Sequence, residues 1–234
     1  MLQGKLREAV LEANLELVRR GLVLSTFGNA SGVARDEGLI VIKPCDVPYN
    51  EMRPEHLVVT DLQGNVVEGT LRPSSDLATH AALYRAFPSI GGIAHTHSEY
   101  ATAWAQARKP IPNIGGTHGD YFHGPIPLTE AVSVGEITGE HKAIAGGAII
   151  RAYETTDPMT APAILVANDG SFAWGSDPRE ASENAWKLEA VARAAYYAAC
   201  INPYASFIGK TSLGRQFLRM CGQKAQYNQT RTKA

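Results

Sequence analysis

His95 and His97 stand one residue apart in the stretch GGIAHTHS, residues 91–98. Ile93 and Ala94, just before them, are apolar and strand-like, and Gly91-Gly92 mark the turn into the run. Side chains alternate along a strand, so both imidazoles are expected on one face. Two imidazoles on one face can grip a single metal ion; the plainer alternative is a pair of solvated histidines at a strand end, since the motif is short. Ser98 has the chemistry of an N-cap for a helix over residues 99–108, with Glu99 in its first turn. The pair is therefore expected at the carboxyl end of a strand and the mouth of a helix, where α/β proteins place ligands.

Other polar clusters punctuate the chain. LSTFGNASG, around Gly28-Asn29, reads as a Ser/Thr/Gly/Asn-rich loop whose donors could line a polar pocket. RPSSD (72–76) precedes a helix beginning near Asp76, with Ser74 or Ser75 as its cap or as part of an anion site. The Pro/Gly-punctuated run 110–128 carries His118, Asp120, Tyr121 and His123; it is longer than ordinary connections of ~4–6 residues, and such loops tend to be functional.

The elements that must position these residues follow from periodicity. Leu6, Val10, Ala13 and Leu17 give an amphipathic helix over residues 3–20 closed by Gly21. Strands are expected at 38–44, then at 56–61 and 65–69 as a hairpin across Gln63-Gly64. A polar helix is expected over 129–145 and a strand over AIIRAYE, 148–154. AILVAND (163–169) and SFAWG (171–175) form a second hairpin with Asp169-Gly170 at its turn. Asp177 as N-cap and Pro178 at the first helical position open a long helix to about Cys200. A short helix near 211–221 leads into a polar tail. With no repeat, linker or low-complexity tract, the economical reading is one α/β domain, 1–234: a largely antiparallel central sheet flanked by helices.

Composition narrows the function classes. The 234 residues are 44% hydrophobic and 19% charged, with a net charge of −1. A buried core is expected, and neither nucleic acid nor a membrane surface is a favoured partner. No apolar run reaches spanning length. The three cysteines, Cys45, Cys200 and Cys221, are few and scattered, which suits free thiols in a cytoplasmic protein.

The stretches LEANL (11–15), FGNASGV (27–33), VIKP (41–44), EGTLRPSSD (68–76), FPSIGGIAHTHS (87–98), Gly116 through DYF to Gly124, FAWG (172–175) and KAQY (224–227) occur in order along nearly the whole chain. In them the sequence resembles the class II aldolase/epimerase family, and within it the 4-epimerases that act on L-ribulose 5-phosphate. That resemblance implies retro-aldol chemistry on a sugar-like ketose. One divalent ion, usually zinc with manganese or iron possible, acts as a Lewis acid on the ketose oxygens and stabilises the enediolate. An epimerase then turns the aldehyde fragment over and re-forms the bond, which needs an acid/base group on each side.

By position, the resemblance assigns metal binding to His95 and His97 and an acidic role beside the metal to Asp76. Asp120 and Tyr227 match the two acid/base groups, supplied from a neighbouring subunit, which implies a homotetramer with inter-subunit sites. Asn29 and Lys43 match substrate contacts, Ser74 and Ser75 half of a phosphate cradle. Arg219 matches an arginine in a C-terminal segment, about 203–234, that closes over the site. Four positions depart from the pattern. Asp169 stands where the family has its third metal-binding histidine, Cys45-Asp46 where it has Ser-Gly, Gly116 where it has a threonine, and Gln216 where it has a histidine.

These departures leave three readings: a metal-dependent epimerase or aldolase; a member with changed substrate or chemistry; and a non-catalytic relative. For the second, His95, His97 and Asp169 make the two-histidine, one-carboxylate set of non-haem iron oxygenases. Asp169 is expected to bind the ion, or else to serve only the hairpin turn. Asp46 is expected to repel a phosphate dianion, which favours an uncharged or amine-bearing substrate over L-ribulose 5-phosphate.

Overall fold

The computed structural model describes residues 2–131 and 141–205. The expected helix at 211–221, Arg219, Gln216, Tyr227 and the closing segment beyond residue 205 lie outside the described residues.

Among the described residues, seven strands form one sheet in the order β4-β3-β2-β1-β5-β7-β6. They are β1 (Asn29–Ala34), β2 (Leu39–Ile42), β3 (Val58–Asp61), β4 (Val66–Glu68), β5 (Gly92–Thr96), β6 (Ala163–Leu165) and β7 (Ser171–Gly175). Every neighbouring pair is antiparallel. The sheet is covered by α1 (Gly4–Arg19), α3 (Glu99–Gln106) and α6 (Pro178–Ile201) on one side, and by α2 (Leu77–Ala86) and α5 (His141–Ala152) on the other. A short α4 (Gly116–Tyr121) packs beside α6. This is the α/β single-layer sheet expected from the sequence.

The two faces differ in side-chain size. Ala30, Ala94, Ala163 and Ala173 face α1, α3 and α6, so those helices approach closely. Ile93, Ile164, Phe172 and Trp174 face α2 and α5. Trp174 is fully buried, and truncating such a side chain to alanine typically costs ~3–5 kcal/mol.

Three local expectations change. The segment around Asn29 is a central strand, not a loop. Its polar Ser31 disguises it, yet that hydroxyl is satisfied inside the core by His80 Nδ1 at 2.7 Å and the Tyr84 hydroxyl at 2.8 Å. Residues 148–152 are the end of α5 rather than a strand. Ala145, Ala148 and Ile149 are buried at helical spacing, and Gly146 lets α5 lie against Ala82 of α2, so packing overrides the β-branched pair Ile149-Ile150. The run 110–128 is tied at its base by paired backbone bonds between Ile111 and Ile126 and carries α4 within it.

The helix caps also sort out. Asp177 accepts from the Glu180 amide as an N-cap should. Ser98 occupies the N-cap position of α3 but makes no capping bond; the Glu189 carboxylate, from α6, accepts from Tyr100 and Ala101 N–H instead. At α2 the N-cap position belongs to Asp76. Ser74 supports the turn before it, its carbonyl accepting from Leu77 N–H and its hydroxyl from Asp76 N–H.

A candidate metal centre and the cavity beside it

The central strands carry the chemistry. β1 is locked to α1 by Asn14, whose amide donates to Ala30 O and accepts from Ala30 N–H. The Tyr49 hydroxyl donates to Gly28 O at 2.6 Å, fixing the residue before the strand. Asn29 is thereby held directly opposite His95 in the β1–β5 register.

His95 lies in β5, whose last residue is Thr96, so His97 stands just past the strand end. The two rings nevertheless converge, 4.9 Å between centroids. His95 is buried and stacks on Phe172 at 4.2 Å. Its Nδ1 lies 3.0 Å from Ser171 O; a carbonyl can only accept, so Nδ1 is the donor and Nε2 is the nitrogen left to face a ligand. That is the usual second bond of a metal-ligating imidazole.

Asp169 comes from the β6–β7 turn. Val166 N–H donates to Gly170 O and Asp169 N–H to Val166 O, which closes the turn. Asn168 takes the left-handed conformation there, φ 64°. A Cβ on Gly170 would lie 2.5 Å from Thr96 O and 3.2 Å from His97 Nδ1, so only glycine lets the turn approach the histidines. Asp169 thus serves the turn with its backbone and the cluster with its side chain. Oδ1 is 3.5 Å from His97 Nε2, and His95, His97 and Asp169 each offer a ligand atom within 4.8 Å of the others. Two nitrogens and one oxygen, with an imidazole tautomer already set, fit a divalent transition metal.

Beside these donors opens a cavity of about 240 Å³. Asn29, Lys43, Ser74, Ser75 and Asp76 all line it, together with Thr26, Phe27, Cys45, Asp46 and Arg72. Asn29 Nδ2 donates to Asp76 Oδ2 at 2.7 Å, and the Ser74 hydroxyl donates to the same oxygen at 3.4 Å. Asn29 Oδ1 is buried with no hydrogen-bond partner among the described residues. Lys43 is also buried, its ammonium 3.2 Å from Pro44 O and 4.8 Å from the centre of the Tyr49 ring. Burial pushes its pKa down; the carboxylate of Asp46 and the thiol of Cys45 oppose that shift.

Sequence reasoning missed Phe27, Tyr49 and Arg72. Phe27 is 61% exposed and sits edge-on to His97 at 6.2 Å; its place in FGNASGV was the available signal. Arg72 likewise opens the singled-out RPSSD, whereas Tyr49 carried no signal. Asp120 sits partly buried on α4 and lines neither the cluster nor the cavity of its own chain. The buried His118 of the same helix reaches Gly124 O with Nε2 at 2.8 Å, closing the loop behind Asp120.

The architecture is that of a known protein family. Residues 8–196 match the family described as Class II Aldolase and Adducin N-terminal domain. The chain belongs to that family. A solved L-fuculose 1-phosphate aldolase superimposes with a TM-score of 0.80 at 25% identity, over 94% of this chain and 97% of that one. YgbL of Klebsiella pneumoniae, described as a putative aldolase/epimerase/decarboxylase, gives 0.72 at 25% identity, over 92% and 99%. An L-fuculose 1-phosphate aldolase of Glaciozyma antarctica PI12 shares the fold, with a TM-score of 0.74 at 18% identity over 93% of this chain and 82% of that one.

Proposed function

We propose that the protein is a metal-dependent aldolase or epimerase that breaks, and in the epimerase case re-forms, a carbon–carbon bond of a sugar-like ketose. The observation that carries this reading is the juxtaposition of the His95–His97–Asp169 cluster with a polar cavity lined by Asn29, Lys43 and Asp76. One solved relative, an L-fuculose 1-phosphate aldolase, supports the same reading.

His95 Nε2, a ring nitrogen of His97 and a carboxylate oxygen of Asp169 would hold the ion. When bound, it supplies Lewis acidity toward a substrate carbonyl or hydroxyl oxygen. The remaining work falls to the chain. Asn29, clamped to Asp76, presents Oδ1 to a substrate hydroxyl. Lys43 sets a positive charge on the cavity wall, where it attracts an anionic part of the substrate. Asp120 moves a proton on the aldehyde side, delivered by a second copy as the resemblance implies, since it lies outside its own chain's cavity; Tyr227 serves the opposite side. The assembly the resemblance implies is a homotetramer with shared sites, and light scattering at micromolar concentration tests it: a monomer contradicts the assignment of Asp120.

The test of the activity is metal content after dialysis together with retro-aldol turnover of ketose substrates. Bound zinc, manganese or iron with turnover supports the reading. Bound iron with oxygen consumption and no bond cleavage supports instead the oxygenase reading that the donor set also permits. Metal-free protein without turnover leaves the non-catalytic relative.

A further inference from the structure

The far rim of the cavity holds a pair that no comparison assigns. Asp46 Oδ2 and Arg72 Nη2 are 3.1 Å apart, with the carboxylate side chain 83% and the guanidinium side chain 75% exposed. Their backbones are fixed. Cys45 N–H donates to Arg72 O, Ser74 N–H donates to Lys43 O, and a bridge joins Pro44 to Pro73. The Cys45 thiol adds a bond to Pro73 O. Two rigid stems therefore end in two loose tips.

Asp46 is also strained. Its φ is 61°, in the left-handed region that glycine occupies at least cost. A side chain that is almost wholly in water adds nothing to packing, so its role must be sought at the rim. The expectation that Asp46 simply repels a phosphate treated it as a lone carboxylate; here Arg72 balances it. Lys43, deeper in the same cavity, forms no ion pair with a carboxylate among the described residues. The cavity thus carries one cation, Lys43, with no ion-pair partner among the described residues, and at its rim a second, Arg72, held by a weak, exposed partner.

We propose that Arg72 and Asp46 are a specificity-determining exchange pair: Arg72 leaves Asp46 to hold an oxyanion at the substrate's far end, and Asp46 opposes that transfer. The substrate class implied is a sugar-like ketose bearing a terminal phosphate ester or carboxylate, which Arg72 and Lys43 hold together. A guanidinium matches either group through two parallel N–H donors. Asp46 sets a threshold, so that neutral sugars leave the pair closed and only an anionic tail opens it. This inference rests on the cavity being the substrate site.

The experiment is calorimetric titration of the metal-loaded protein with inorganic phosphate and, separately, with acetate, at constant ionic strength. Asp46→Asn should bind the anion several-fold more tightly than wild type, because Arg72 is released. Arg72→Gln should bind about tenfold more weakly, the scale of one lost hydrogen bond to a charged group. The double variant should fall between them. A response confined to phosphate assigns a phosphate ester; one confined to acetate assigns a carboxylate. Arg72→Gln binding both anions as wild type does, or Asp46→Asn binding neither more tightly, overturns the exchange. Absence of anion binding in both wild type and Asp46→Asn overturns it equally. Metal content is read on every sample, so failure of the metal-centre reading is seen separately from failure of the rim.

Discussion

The cavity has two ends built on opposite terms. At the metal end the donors rest on packed supports: His95 is set by Ser171 O and the Phe172 ring, Asp169 comes from a closed turn, and Gly170 lets that turn approach both histidines. At the rim, Asp46 and Arg72 share fixed stems but extend into solvent. Geometry that must be held for catalysis sits on buried or hydrogen-bonded supports. Recognition that must adapt to a substrate sits where breaking a contact costs little. Side chains that can do chemistry are thus sorted by the rigidity of what lies beneath them.

The widest difference between the ends should appear on removing a metal donor. Asp169→Ala should lower metal affinity by more than roughly 100-fold, beyond the usual cost of losing a supporting residue, and abolish turnover. Unchanged metal content after dialysis would remove Asp169 from the ligand set. Asp169→His should keep the ion and speed bond cleavage, because a neutral ligand leaves the ion a stronger Lewis acid.

Next come the groups that resemblance places at the site from another chain. Asp120→Asn and Tyr227→Phe should each reduce epimerisation by ~10²–10⁴-fold, the span of general acid–base catalysis, with metal retained. If only one matters, the enzyme is an aldolase; if neither does, both assignments fail.

A stability measurement contrasts the two ends directly. Gly170→Ala forces a Cβ against Thr96 O and should cost ~1–3 kcal/mol in denaturant unfolding. Arg72→Gln should leave the unfolding midpoint where it is, since both partners of its ion pair are exposed. Equal losses would mean that the rim is as structural as the metal end.

The smallest effect concerns the arm that carries Asp120. Burial lowers the pKa of His118, against the raising effect of its bond to Gly124 O. The folded state then binds fewer protons than the unfolded chain just below the ordinary imidazole value of about 6.5. Stability from this residue is full above that value and is lost as pH falls through it toward the folded pKa. His118→Asn should flatten the dependence, seen by comparing unfolding midpoints at about pH 7.5 and about pH 5.5. A variant as acid-sensitive as wild type assigns the loss to other groups.

Much of this molecule was legible in its residues. The His-x-His pair, both hairpins, the Asp177-Pro178 helix start and the antiparallel sheet followed from side-chain alternation and turn chemistry, which act over a few residues. Residues 148–152 were not legible, because helix or strand was decided there by what packs against Ile149, and Gly146 met α2 only in three dimensions. β1 was hidden for a related reason: Ser31 looks like a loop residue until His80 and Tyr84 arrive to satisfy it. The sequence alone determined which residue types were available, two imidazoles, a carboxylate before a glycine and a lysine before a proline. Tertiary structure alone decided that Asp169 reaches His97, that Tyr49 lies under Lys43, and that Arg72 answers Asp46. Each of those contacts joins residues from separate turns and strand ends, and their separation is set by sheet register and helix packing, which no local pattern encodes.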